Sequence, residues 1–214
     1  MTAVLTRSEN HQDLAHDYHH AKPNRSLTYL LPAILKGLEK NRSVRRIFEI
    51  GCGTGDLANL LTRKGYHVLA SDPSTSAIAS ARLRFPEQSF EEASAYDDLS
   101  ARFGSWDAVV STEVIEHLYR PKIFAQTAFH LLASNGTLII STPYHGYWKN
   151  LALALSGKMD DHFMALRDHG HIKFWSEKTI TKLLSDAGFN SIEISRAGRI
   201  PALAKSMVIV ARKP

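Results

Sequence analysis

The sequence predicts an α/β protein with a doubly wound, mostly parallel sheet, helices on both faces and an antiparallel hairpin at its C-terminal end. Three observations carry this expectation. Short apolar runs alternate with amphipathic ones through the middle of the chain. A turn with three glycines, Gly51, Gly53 and Gly55, sits where the first strong apolar run passes into a helical pattern. Two β-like runs, at 191–195 and 206–211, follow one another near the end with no helical pattern between them.

Taken in order, residues 26–38 (S-L-T-Y-L-L-P-A-I-L-K-G-L) place apolar side chains at helical spacing, with Ser26 the expected N-cap and Pro32 an expected kink or restart. Residues 46–50 read as a short buried strand, and 56–64 as an amphipathic helix closed by Gly65. A second strand at 67–70 ends at Ser71 and Asp72, and 74–83 is a helix with Ala77, Ile78 and Ala81 inward. Residues 107–111 are strand-like, 122–132 helical, and 136–141 a strongly apolar strand stopped by Pro143. A helix at 177–187, closed by Gly188, precedes the two hairpin strands, which Gly198 and Pro201 separate. Alternation with short connections means a parallel sheet covered on both sides.

The expected organisation is an N-terminal segment with a covering helix (1–42) and one catalytic-sized domain (43–214), within which 144–175 is an insert over the substrate. The opening stretch to Pro23 is polar and histidine-rich, with Asp17, Tyr18, His19 and His20 together, and has no period.

A hydrophobic content of 44% against 22% charged residues places the chain among ordinary globular proteins rather than disordered or membrane ones. No apolar run approaches the roughly 18 residues needed to span a bilayer, and the N-terminus lacks the basic-then-apolar order of a secretory leader, so a cytoplasmic protein is expected. Cys52 is the single cysteine and cannot form an internal disulfide. The net charge of +5 and the pI near 9.3 leave room for an anionic partner, but the basic residues are scattered. The one cluster, Arg42, Arg45 and Arg46 beside Asn41, reads most simply as a polar entry loop.

The segment F-E-I-G-C-G-T-G-D-L lets backbone approach a ligand closely while a helix N-terminus faces it. The glycine spacing lacks the two-residue gap before the last glycine that a dinucleotide fingerprint requires. One helix and one strand later, Asp72 stands at a strand end, where a carboxylate accepts hydrogen bonds from ribose hydroxyls; it also suits the cap of the following helix. Glu113, Glu116 and His117 fall at i, i+3 and i+4, which on a helical turn aims all three to one side. Such a set suits a magnesium- or manganese-like ion that clamps an acceptor hydroxyl, or else His117 acts alone as general base. The plainer alternative has Glu113 near the cofactor, Glu116 solvated and His117 lining the pocket.

These residues resemble the class I S-adenosylmethionine-dependent methyltransferases: E-I-G-C-G-T-G, S-D-P after the second strand, W-D-A-V-V-S-T-E-V-I-E-H after the fourth and G-T-L-I-I-S-T-P at the fifth. The resemblance runs from about Ser43 to the end. It implies a seven-stranded Rossmann-like fold with S-adenosylmethionine as cofactor. It places Glu49, Gly51, Cys52, Gly53 and Gly55 along the methionine part, Asp72 at the ribose, and Thr112 and Glu113 nearby. Ser94, beside Ala95, stands where family members usually carry an acid near the adenine. E-V-I-E-H is similar to the motif of ubiquinone-biosynthesis O-methyltransferases and of small-RNA 3′-terminal 2′-O-methyltransferases, in both of which it accompanies a divalent metal. H-G-H-I-K-F-W-S, at 169–176, then implies a further metal ligand, His171 by its distance from Trp175, with His169 as rival.

The insert opens beyond the fifth strand, where parallel sheets bind ligands, and Tyr144, His145, Tyr147 and Trp148 are candidate lining residues. Its apolar run 151–155 packs on the domain, lines a greasy pocket or touches a membrane surface. The leading expectation is O-methylation of a small, quinol- or phenol-like acceptor. An RNA 3′ end is a rival acceptor, and a non-catalytic cofactor-binding subunit a rival role.

Overall fold

The computed structural model describes residues 25–163, 165–166 and 170–214. The histidine-rich opening stretch and His169 lie outside the described residues.

Helix α1 (Leu27–Glu39) leads into strand β1 (Arg46–Ile50), helix α2 (Asp56–Arg63), strand β2 (His67–Asp72), helix α3 (Thr75–Arg84), strand β3 (Ser89–Glu92) and the short helix α4 (Leu99–Phe103). Strand β4 (Trp106–Thr112), a 3-10 turn at Ile115–His117, helix α5 (Pro121–Leu131) and strand β5 (Leu132–Pro143) follow. The insert holds helices α6 (Tyr147–Leu155) and α7 (Met159–Phe163). Helix α8 (Glu177–Asp186), strand β6 (Asn190–Ala197), a 3-10 turn at Pro201–Leu203 and strand β7 (Ser206–Arg212) complete the chain.

The strands form one seven-stranded sheet in the order β3-β2-β1-β4-β5-β7-β6. The first five pair in parallel, while β7 runs antiparallel to both β5 and β6. This is the doubly wound sheet with terminal hairpin that the sequence predicts. Chain order reverses between β1 and β4, so the crevice beyond their C-terminal ends is the ligand position such a sheet creates.

Burial on both faces follows from the period of two. Ile47 packs with α1 and α2, the next residue Phe48 packs on the opposite face, and Val110 and Val109 divide in the same way. One core holds Leu30, Ile34 and Leu38 of α1 with Leu57 and Leu61 of α2. The other holds Phe124 and Leu131 of α5 with Ile180 and Leu184 of α8. Helix α1 is thus part of the sheet's packing.

Several local expectations are corrected. Helix α1 is one 13-residue element that runs through Pro32 without restarting. Pro32 and Thr28, one turn earlier, are both exposed, so the carbonyl that proline leaves unpaired faces water. Ser26 precedes the helix with helical backbone angles instead of the extended geometry of an N-cap. The cap of α3 is Ser74, whose Oγ accepts from the Ala77 N–H at 3.2 Å, and not Asp72. Among the described residues no helix is long and apolar enough to cross a membrane.

Candidate active site

The glycine turn is held at both ends by main chain. Gly51 N–H and Cys52 N–H both donate to the Ser71 carbonyl, at 2.7 and 2.9 Å, which ties the end of β1 to β2. Gly51 has φ +80, and a Cβ there would stand 2.4 Å from Cγ2 of Val114, so both backbone angle and space demand glycine. Gly53 N–H donates to Asp72 Oδ2 at 2.9 Å, and Ser74 N–H to Asp72 Oδ1, also at 2.9 Å. Asp72 therefore shapes the loop while retaining lone pairs for a ligand. Its burial raises its pKa, against the two N–H donors that hold it down.

Glu49 lies beneath the turn, 1% exposed, with Oε2 lacking any hydrogen-bond partner. Burial, then the charges of Asp72 and Asp56, push its pKa up to about 8. A desolvated carboxyl group held by the Ala58 N–H, with its other oxygen unpartnered next to a left-handed glycine turn, fits a cationic ligand group, as the amino and sulfonium groups of S-adenosylmethionine are. Cys52 is buried, and that burial, with Glu49 and Asp72 nearby, pushes its thiol pKa well up, so it packs rather than reacts.

Ser94 and Ala95 are buried after β3. Ser94 spends its polar groups on its own turn: its N–H donates to Asp97 Oδ2 at 2.9 Å, and its Oγ accepts from Tyr96 N–H at 3.2 Å. No acid stands at position 94 itself; the nearby carboxylate of Asp97 is engaged with the Ser94 N–H in the same turn.

After β4 the chain departs from the expected helical turn. Glu113 takes φ 54, and only Ile115–His117 forms a 3-10 turn. The three side chains therefore do not share one side. Glu113 Oε1 accepts from Ser141 Oγ at 2.8 Å and Oε2 from Ser206 Oγ at 3.3 Å, which turns it toward the ends of β5 and β7. Burial raises the Glu113 pKa, opposed by these hydroxyls and by Lys149. Thr112, at the end of β4, is buried beside this network.

Glu116 is fully buried, contrary to its reading as a solvated residue. Thr142 Oγ1 donates to its Oε2 at 3.1 Å, but Oε1 has no hydrogen-bond partner. Burial, then the charge of Glu113, push its pKa well up. The segment after the insert is tied over this turn by main chain: Ile172 and Lys173 N–H both donate to the Glu116 carbonyl at 2.9 Å. Trp175 Nε1 donates to the Ile115 carbonyl at 3.4 Å. His171 is thereby delivered with Nε2 4.0 Å from Glu116 Oε1 and its ring edge-on to His117 at 4.9 Å between centroids. His117 Nδ1 lies 3.2 Å from the Gly170 carbonyl, and as donor there it makes Nε2 the acceptor nitrogen of a neutral ring.

One ligand atom each from Glu116, His117 and His171 fall within 4.8 Å of one another, and Glu113 stands outside this group. The left-handed turn at Glu113 is the reason. A buried carboxylate oxygen with no partner and two imidazoles form a donor set that fits a divalent cation. Sequence reasoning missed Ser141, Thr142 and Ser206, which fix the two carboxylates; the S-T-P string at the end of β5 was the trace of the first two, and Ser206 left none. It also missed Tyr29, whose hydroxyl lies 3.3 Å from Ser206 Oγ.

A family model described as "Methyltransferase domain" matches residues 18–194. The chain belongs to the class I S-adenosylmethionine-dependent methyltransferases. This methyltransferase is similar to a ubiquinone biosynthesis O-methyltransferase of Bradyrhizobium diazoefficiens, 31% identical over 178 residues, covering 78% of this chain and 69% of the relative. The same name belongs to a relative in Psychrobacter arcticus, 26% identical over 168 residues, 74% of this chain and 64% of that one. Among solved structures, a putative methyltransferase of Bacillus halodurans superposes with a TM-score of 0.65 at 16% identity, covering 85% of this chain and 98% of that one. The magnesium protoporphyrin IX methyltransferase of Synechocystis with bound SAM gives 0.61 at 18% identity, covering 86% and 78%. Both likenesses concern the fold.

Proposed function

We propose that this methyltransferase moves the methyl group of S-adenosylmethionine onto a hydroxyl oxygen of a small, phenol- or quinol-like acceptor, docked against Glu116, His117 and His171. The observation that carries the reading is the convergence of these three side chains at the C-terminal edge of the sheet, beside the glycine turn. The names of the relatives agree with oxygen as the atom attacked.

Glu49 Oε2 and the loop glycines receive the methionine end of the cofactor, and Asp72 its ribose. His117, its Nδ1 fixed by the Gly170 carbonyl, offers Nε2 to the acceptor side, where it takes the hydroxyl proton as the O–CH3 bond forms and the sulfonium S–CH3 bond breaks. In the alternative arrangement Glu116 and the two histidines would hold a divalent magnesium or manganese ion, with His117 a ligand in place of the base. A bound ion would lower the pKa of a coordinated hydroxyl. Much of the rate then comes from orientation, which the main-chain ties of 170–175 to the 3-10 turn supply.

The test is methyl transfer from labelled cofactor to a panel of phenols, catechols and an RNA 3′ end, with magnesium, manganese or a chelator. Label on a phenolic oxygen is expected. Label on RNA alone, or on no hydroxyl, overturns the proposal, and activity untouched by chelator removes the cation from it.

A further inference from the structure

The glycine turn has a further anchor, which neither β1 nor Asp72 supplies: Arg84, the last residue of α3. Its Nη1 donates to the Thr54 carbonyl at 3.0 Å and to Asp56 Oδ2 at 3.1 Å, and its Nη2 donates to Asp56 Oδ1 at 2.6 Å. Thr54 Oγ1 donates to the same Asp56 Oδ2 at 3.1 Å. The guanidinium also lies over the Phe85 ring, 4.8 Å from its centroid. One planar fork thus joins the end of α3 to the exit of the turn and to the first residue of α2. An ion pair on open surface would hold little, but here the Asp56 side chain is 19% exposed and that of Arg84 35%, with both carboxylate oxygens engaged.

The exit of the turn lacks a side-chain cap of its own. Gly55, the N-cap of α2, has φ +81, and a Cβ there would stand 2.5 Å from Cζ of Phe90, so no capping side chain fits. What holds this end is the Gly55 N–H, which donates to the Cys52 carbonyl at 3.0 Å, and the Arg84 fork. The start of α2 matters to the site because the Ala58 N–H, in its first turn, holds the Glu49 carboxyl. The negative charge of Asp56 acts on Glu49 as well, after burial and Asp72, and raises its pKa. Arg84 therefore bears on Glu49 twice: it fixes the helix start that carries Ala58, and it sets a positive charge against Asp56.

We propose that Arg84 is a positioning residue for cofactor binding: by gripping the Thr54 carbonyl and the Asp56 carboxylate it holds the start of α2, and through the Ala58 N–H the Glu49 carboxyl, in the place where the methionine end of S-adenosylmethionine docks. This rests on the reading that Glu49 and the loop glycines receive that end. Arg84 acts through Asp56 and Glu49 rather than on the cofactor. A lysine at this position would keep the charge but not the two-pronged grip.

The test follows S-adenosylhomocysteine binding to the full chain by calorimetry from about pH 6 to about pH 9. The ligand's amino group pairs with ionised Glu49, so wild-type affinity should rise with pH and level off above about 8. Asp72 and the Cys52 thiol also face Glu49 and are the same in every variant. Arg84→Gln removes the fork and leaves the Asp56 charge unopposed; it should weaken binding about tenfold and move the midpoint of the rise up by about half a pH unit. Arg84→Lys should hold the midpoint near that of wild type and weaken binding about threefold. Wild-type affinity in Arg84→Gln, or weaker binding with an unmoved midpoint, overturns the proposal. Should that variant fail to fold, Arg84→Lys decides: the expected loss supports the grip, and wild-type affinity overturns it. Glu49→Gln separates the two readings. If it binds like wild type, the docking of the methionine end at Glu49 fails and the proposal with it; if it binds weakly while both Arg84 variants bind like wild type, that docking stands and only the role of Arg84 falls.

Discussion

Replacing Glu49 by glutamine should change how stability depends on pH, because this carboxylate is buried without a partner for Oε2. Its ordinary value of 4.5 is raised to about 8 in the fold. The native state therefore binds the proton more tightly than the unfolded chain, and wild-type stability falls as pH rises from about 4.5 to about 8. Between about pH 6 and about pH 9 that fall amounts to roughly 2–3 kcal/mol. Glu49→Gln cannot ionise, so its stability relative to wild type should improve by that amount across the interval. Urea unfolding of both proteins at several pH values, without cofactor, measures it. A gap between the two that stays constant with pH refutes the reasoning. The same variant should bind S-adenosylhomocysteine about 10- to 100-fold more weakly, since a charge-assisted hydrogen bond to the amino group is lost.

Gly51→Ala combines a left-handed φ with a Cβ 2.4 Å from Val114, so cofactor binding by calorimetry should fall below detection, with a stability loss of about 2 kcal/mol. Val114→Ala in the same chain should relieve the clash but not the backbone strain, and a full rescue would contradict this account. Glu116→Gln should weaken manganese binding, followed by electron paramagnetic resonance, about 10- to 100-fold, and His171→Ala should do the same, whereas Glu113→Gln should change it little because Glu113 stands outside the ligand group. Trp175→Phe removes the indole donor to the Ile115 carbonyl and should cost about 1 kcal/mol while lowering kcat more than it raises KM, because His171 loses its alignment.

The parts of the fold that were legible in the chain are those set by local periodicity. Strand β1, the glycine turn and helix α2 announce themselves because Ile47, Phe48 and Ile50 must be buried while Gly51 must turn. Strand β3 was missed: S-F-E-E buries only Phe90, and an edge strand of four residues carries too few apolar positions to mark its period. Helices α6 and α7 in the insert were missed for a related reason, since most of their side chains are exposed. Glu113 shows what no spacing argument reaches. The expected helical turn assigns it to one side with Glu116 and His117, but a left-handed residue at 113 swings the carboxylate to hydroxyls on β5 and β7. Those partners are distant in sequence and adjacent only because β5 and β7 pair.

His117 precedes the insert and His171 follows it, and the bonds that hold them together come from the main chain at Glu116. An ion shared by the two histidines would therefore act as a clasp on the loop between them. Ion affinity and closure of that loop over an acceptor become one linked equilibrium: each acceptor bound should tighten the ion, and each ion bound should tighten the acceptor, by the same factor.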